Sequence, residues 1–228
     1  MAVAFDASSE FAEFTTTSPV SVTHTPVGTP RGVIVGVVQA AAADPAATVT
    51  YGGVDVPPVD SATDTATEPG LVVYYFLGEG IPTGPQTVEI THDGSANPKW
   101  AGVATVTAGT DTEIGSGFQW LFENLQNPSF PIPNGQNEGM AFGFVYTGHD
   151  APSNLTPLSG MTAIHDHNFG VRGARFDRQT TAADGLFTFG YTAATSDDFA
   201  CLVHTVQEAS TALHIRGQNV LPIENATT

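Results

Sequence analysis

The most regular feature of the chain is an alternation of apolar and polar side chains. In residues 86–91, Gln-Thr-Val-Glu-Ile-Thr, Val88 and Ile90 share one side while Thr87, Glu89 and Thr91 share the other. That is the period of a strand with one face on a core. Residues 140–146 repeat it, with Met140, Phe142, Phe144 and Tyr146 set against Ala141, Gly143 and Val145. Phe187, Phe189 and Tyr191 mark another such strand, and Val20 and Val22 alternate within the β-branched run 15–25. Residues 33–38, 71–77 and 199–206 are instead apolar along their whole length, as in strands buried on both faces. In residues 100–107 small residues alternate with Val103 and Val106. No 3.6-residue periodicity of useful length occurs, so the pattern predicts an all-β fold, a single antiparallel β-sandwich.

Turn chemistry separates these strands. Gly52-Gly53, between Val49-Thr-Tyr and Val54-Asp-Val, predicts a two-residue hairpin, because the corner needs positive φ and glycine reaches it without a Cβ clash. Pro57-Pro58 stops the second arm of the hairpin. Residues 60–70, 78–85 and 148–160 read as loops. Residues 161–169 are ambiguous, and 114–125 fits a strand or a short helix. The stretch from about 111 to 139 reads as a long excursion from the scaffold, of the kind that carries contacts. The expected organisation is one sandwich domain over 1–210, with that insertion, followed by a C-terminal arm at 211–228. In the arm Ile215, Val220, Leu221 and Ile223 are spread among polar residues around Pro222. No repeat of the solenoid kind is visible.

Composition narrows the function. A chain of 228 residues can bury roughly 70% of its unfolded surface without staples. The single cysteine, Cys201, lies in an apolar run and reads as a buried small hydrophobe. The formal net charge is -17, and the cations are Arg31, Lys99, Arg172, Arg175, Arg178 and Arg216. Such a chain repels polyanions, so no nucleic-acid partner is expected. The arginines of segment 171–178 are expected to pair with acids on the surface or at a subunit contact. No basic-then-apolar leader opens the chain and no apolar run of membrane-spanning length occurs, so no membrane association is expected. The acidic, lysine-poor surface would suit salty surroundings.

The order of segments Met1-Ala-Val-Ala-Phe-Asp6, Val22-Thr-His-Thr-Pro26, Gly32-Val-Ile-Val-Gly-Val-Val38, Val49-Thr-Tyr-Gly-Gly-Val54, Tyr75-Phe-Leu77 and Thr87-Val-Glu-Ile-Thr91 resembles a group of β-sandwich proteins. These occur among the minor tail and other virion proteins of tailed bacteriophages, and as adhesion-like modules in environmental bacteria. The resemblance covers the first hundred residues or so. It implies a jelly-roll-like or immunoglobulin-like sandwich in the capsid surface or tail of a virion, a homo-oligomer touching other virion proteins, and it brings no catalytic residues. The excursion and the acidic surface depart from the pattern.

Candidate chemistry is sparse. A glycosidase needs paired carboxylates, yet Glu89 has no second acid at strand spacing, and the Glu-x-Asp-x-x-Glu pattern of jelly-roll glucanases is missing. Nucleophile-elbow, P-loop and dinucleotide motifs are missing too, so neither catalytic residues nor a cofactor is expected. His165 and His167 fall on one side of an extended segment and would need His149, Asp150 or His204 to complete a zinc site. Without a zinc signature they read as a polar loop, and no metal is expected. Asp197-Asp198 and the acids of 60–64 offer calcium-type oxygens without an EF-hand order. The competing function is host-surface glycan binding through aromatic faces, for which Trp100, Trp120, Tyr51, Tyr74, Tyr75 and Tyr146 are available.

Overall fold

The computed structural model describes residues 2–43, 45–65, 69–125, 129–133, 139–148, 155–170, 172–180, 186–193 and 197–209. Among them are seventeen strands and no helix, and every strand pairing is antiparallel. The all-β sandwich expectation therefore holds.

The first half of the chain forms two sheets. One has, in spatial order, Ala4–Glu10 (β1), Lys99–Thr107 (β9), Gly32–Gln39 (β3), Gly70–Leu77 (β7) and Pro58–Asp64 (β6). The other has Val20–His24 (β2), Gln86–Thr91 (β8), Thr48–Tyr51 (β4) and Val54–Val56 (β5). The β4–β5 corner is the Gly52-Gly53 turn, with φ of 57° and 80°. The second half again forms two sheets. The larger has Thr112–Leu125 (β10), Asp197–Glu208 (β17), Met140–Thr147 (β12), Gly173–Thr180 (β15) and Met161–Asn168 (β14). The smaller has Ser129–Pro133 (β11), Leu186–Ala193 (β16) and Leu155–Pro157 (β13).

Set side by side, the two strand orders coincide. β1-β9-β3-β7-β6 corresponds to β10-β17-β12-β15-β14, and β2-β8-β4 corresponds to β11-β16-β13, with β5 the one strand lacking a counterpart among the described residues. Within each half, neighbouring strands in space come alternately from early and late in the sequence, and the two sheets face each other. This is jelly-roll order. The chain is two such units.

The four sheets stack face to face. Val33, Val35, Val37, Val73, Tyr75 and Val103 pack against Tyr51, Val88 and Ile90 of the four-stranded sheet. On the opposite face of the same strands, Ile34, Val38, Val72, Tyr74 and Trp100 pack against Phe142, Phe144, Phe176 and Leu202 of the second half. Beyond these, Ala141, Val145, Cys201 and Val203 meet Leu155, Phe189 and Tyr191. This explains the unbroken apolar runs: β3, β7 and β17 lie in the inner layers and have no polar face to show. The alternation in β12 is likewise one of size, since both faces are buried.

Gly36 in β3 marks a close approach between the halves. A Cβ there would fall 2.2 Å from the Phe144 ring, which lies flat against Phe176 with centroids 4.0 Å apart. The halves meet reciprocally. β6 lies over β10 and β17, and its counterpart β14 reaches β1 and β9, through His165–Glu10 and His167–Glu13 contacts and the stacking of His167 on Trp100. That is the geometry of an isologous dimer interface held within one chain.

Three stretches differ from expectation. The expected loop at 60–70 contains β6, where Asp60, Ala62 and Asp64 turn toward the second half; Pro58 is tolerated because it is the first residue of an edge strand. The described parts of 111–139 are β10 and β11 and belong to the scaffold. The loop expected at 148–160 holds the short strand β13, and the ambiguous 161–169 is β14.

Candidate functional site

The polar residues that survive burial hold the layers together. In the first half, Ser9 Oγ and His24 Nδ1 lie 3.0 Å apart, His24 Nε2 is 3.0 Å from Thr105 Oγ1, and that hydroxyl donates to Asp6 Oδ2 at 2.9 Å. Asp6 Oδ1 accepts the Gly28 N–H at 2.7 Å. A serine beside a histidine suggests a base-activated nucleophile. However, His24 is fully buried, and Asp6 backs Thr105 rather than the imidazole. Burial, opposed by Asp6, lowers the pKa of His24 from 6.5 to about 4, so the ring is neutral at pH 7. The chain of bonds clasps β1, β2 and β9. Nothing in Val22-Thr-His-Thr signals it, because its partners come from residues 6, 9 and 105.

The second half has a charged counterpart. Arg175 Nε donates to both oxygens of Asp177 at 3.0 and 2.8 Å, and its Nη1 donates to the Leu155 carbonyl at 3.0 Å. Tyr191 donates to Asp177 Oδ2 at 2.6 Å, and Arg175 lies over the Tyr191 ring, 5.6 Å from its centroid. Asp177 is wholly buried, and burial outweighs Arg175 in setting its carboxyl above the usual range. This knot ties β13, β15 and β16. Of the segment's three arginines Arg175 pairs with acid, but inside the protein rather than on its surface, since the strand β15 turns Arg175 and Asp177 into the core.

The other described cations are also engaged internally. Lys99 is fully buried and donates to Ser95 O, Ser95 Oγ and Asn97 O at 2.9 to 3.0 Å. Arg31 pairs with Asp111 across the halves at 3.2 Å, Arg172 donates to Ala40 O at 3.1 Å, and Arg178 lies 4.4 Å over the Phe5 ring. Arg216 lies outside the described residues.

Among the described residues the candidate ligands are not brought together. His165 and His167 do share a face of β14, but each meets its own glutamate, Glu10 at 3.8 Å and Glu13 at 3.1 Å. His204 sits on β17, three strands away in the sheet order, or about 14 Å at the usual spacing. Its ring meets that of Tyr74 at a tilt, with centroids 4.6 Å apart, and lies 3.7 Å from Asp60. Burial lowers its pKa. His149 and Asp150 are outside the described residues, as is the Asp197 side chain, and Asp198 is buried. Among the described residues no group of three or more metal-ligating side chains occurs. The aromatic candidates Trp100, Tyr51, Tyr74, Tyr75 and Tyr146 are all core residues, and the Trp120 side chain is outside the described set. Cys201 is buried, and burial pushes its thiol pKa well up.

A concave surface lies elsewhere, where the chain crosses from β5 to β6. Three hollows of about 420, 350 and 540 Å³ adjoin there. Pro58 lines the first two, Pro57 the second and third, and Val59 the first and third. Together they form a trough around Pro57-Pro58-Val59. One end is at Ala46, held at φ 47°, and Tyr75, whose hydroxyl donates to Ala47 O. The other end lies between the halves at Phe76, Ile114 and Ala209. Its rim carries Asp55, Asp60, Glu79, Asp111 and Glu113. Its lining mixes apolar side chains with these acids.

No known family model, curated protein or solved structure matches this chain.

Proposed function

We propose that the chain is a structural component of a virus particle, at the tail or capsid surface of a tailed phage, acting through contacts with its own copies and with neighbouring virion proteins. The observation behind this reading is the fusion of two jelly-roll-ordered units into one four-layer stack. Jelly rolls recur in capsid and lectin domains, and here the polar chemistry of the interior is spent on clasping layers. The support is architectural, joined to the segment order noted above. A second reading, a host-glycan-binding adhesion module, draws on the hollow of about 420 Å³ where Tyr75, Asp60 and Ser61 meet. Light scattering on the purified chain together with a glycan array separates the two. A defined oligomer with no glycan retained is expected; a monomer that binds one glycan class tightly would replace the first reading with the second.

A further inference from the structure

We propose that the junction between the two halves is an acid-operated latch: His204 and His165 of the second half, facing Asp60 and Glu10 of the first, let the halves part when the rings become charged. This goes beyond the assembly reading and does not depend on it.

Three observations converge. The first is placement. Asp60 lies on β6 and Glu10 on β1, the two edge strands of the first half's five-stranded sheet, about 19 Å apart at the usual strand spacing. Each meets a histidine across the junction, His204 Nε2 at 3.7 Å and His165 Nδ1 at 3.8 Å. Both margins of the junction therefore carry the same pairing, an acid on the first half and an imidazole on the second.

The second is the state of the rings. His204 is 5% exposed, and neither of its ring nitrogens has a hydrogen-bond partner among the described residues; nor has the buried Nε2 of His165. A charged imidazole carries two N–H donors, and carboxylate oxygens at 3.7 and 3.8 Å lie beyond hydrogen-bond reach. The closed junction thus leaves a charged ring short of acceptors, and water supplies them once the halves separate.

The third is the surroundings. His204 is packed by Asp60 from β6, by the Tyr74 phenol from β7, which burial keeps neutral, by Phe142 of β12 and by Gly117 of β10. His165 meets Glu10 from β1, lies beside Phe176 of β15 and has Asp166 next to it in the chain. At both rings burial outweighs the carboxylates and sets the pKa below the ordinary 6.5. The parted halves then bind protons more readily than the joined ones, so the junction is fully formed above about pH 6.5 and weakens as the pH falls. Arg31–Asp111 and Arg172–Ala40 also cross it, and arginine keeps its charge throughout this range. His167 Nε2, 3.1 Å from Glu13 Oε2, is close enough to hydrogen-bond and stands outside the latch.

The test uses Trp100, fully buried in the same cluster as Tyr74, Phe142 and Phe144. In a full-length Trp120→Phe background it is the only tryptophan. Acrylamide quenching of its fluorescence is followed from about pH 7.5 to about pH 5, a span centred near the ordinary histidine pKa, with far-UV circular dichroism recording strand content. The same titration is run with His165→Gln and His204→Gln, singly and together, and with His24→Gln. Quenching should rise at least threefold on acidification while the dichroism holds. Each single junction replacement should remove part of the rise, the pair most of it, and His24→Gln none. Quenching that stays flat in the chain with all its histidines overturns the proposal. So does strand content lost in step with the rise, which would make the event global unfolding, or a rise that survives the paired replacement or disappears in His24→Gln.

Discussion

Replacing Asp177 with alanine tests whether the buried knot is a mutually dependent unit. The change removes both carboxylate acceptors of Arg175 Nε and the acceptor of the Tyr191 hydroxyl, and leaves the guanidinium in a core position without its buried counter-charge. Breaking a buried pair from one side strands an uncompensated charge, at a cost of about 3 to 5 kcal/mol. At roughly 2 to 4 °C per kcal/mol for a chain of this size, the melting temperature should fall by about 6 to 20 °C. Tyr191→Phe removes one bond to the same carboxylate and should cost about 1 to 3 kcal/mol. The double replacement Arg175→Met with Asp177→Leu removes both charges while keeping volume. It should recover part of the loss, because no buried charge is left unpaired, while the Tyr191 hydroxyl and the Leu155 carbonyl lose their bonds to the pair. Urea denaturation followed by tryptophan fluorescence, with the slope checked for constancy, measures all three. A cost below about 1 kcal/mol for the alanine variant, or a double variant less stable than it, would refute the account.

Gly36→Ala forces a methyl into the Phe144 ring at the centre of the stack; thermal melts should show about 1 to 3 kcal/mol of destabilisation, partly relieved by adding Phe144→Leu. His24 predicts a pH dependence. Its folded pKa of about 4 lies below the unfolded value near 6.5, so the folded state binds fewer protons between those limits. Stability should be complete above about pH 6.5 and fall by about 3 kcal/mol as pH drops to 4, a slope that His24→Gln should flatten in pH-resolved urea melts. Cys201 should resist a thiol reagent in the native protein and react once denatured, since burial removes access and raises its pKa; rapid native labelling would contradict its placement.

What the sequence made legible depended on where each strand lies in the stack. The hairpin at Gly52-Gly53 and the strands 33–38 and 71–77 are written in local chemistry, and the structure has them. Edge strands carry weaker signals. β6 and β14 expose one side, and β14 has an irregularity between Ala163 and His165 that shifts the phase of the pattern. β10 shifts register twice against β17, between Ile114 and Gly117 and between Phe122 and Leu125, so its apolar residues never keep one period. The doubling of the unit was hidden because it resides in strand order. β3 reads Gly-Val-Ile-Val-Gly-Val-Val-Gln where its counterpart β12 reads Met-Ala-Phe-Gly-Phe-Val-Tyr-Thr. The common face of His165 and His167 could be read from their spacing. Their partners Glu10 and Glu13, some 150 residues earlier, could not.

The reciprocal junction has a practical corollary. The halves are joined covalently only by the exposed connector at residues 108–111, while Ile34, Tyr74, Phe142, Phe144 and Phe176 make one hydrophobic body on both sides of it. A protease cut there should leave the molecule whole in solution, and the two fragments should behave as complementing partners, each requiring the other to cover its inner sheet.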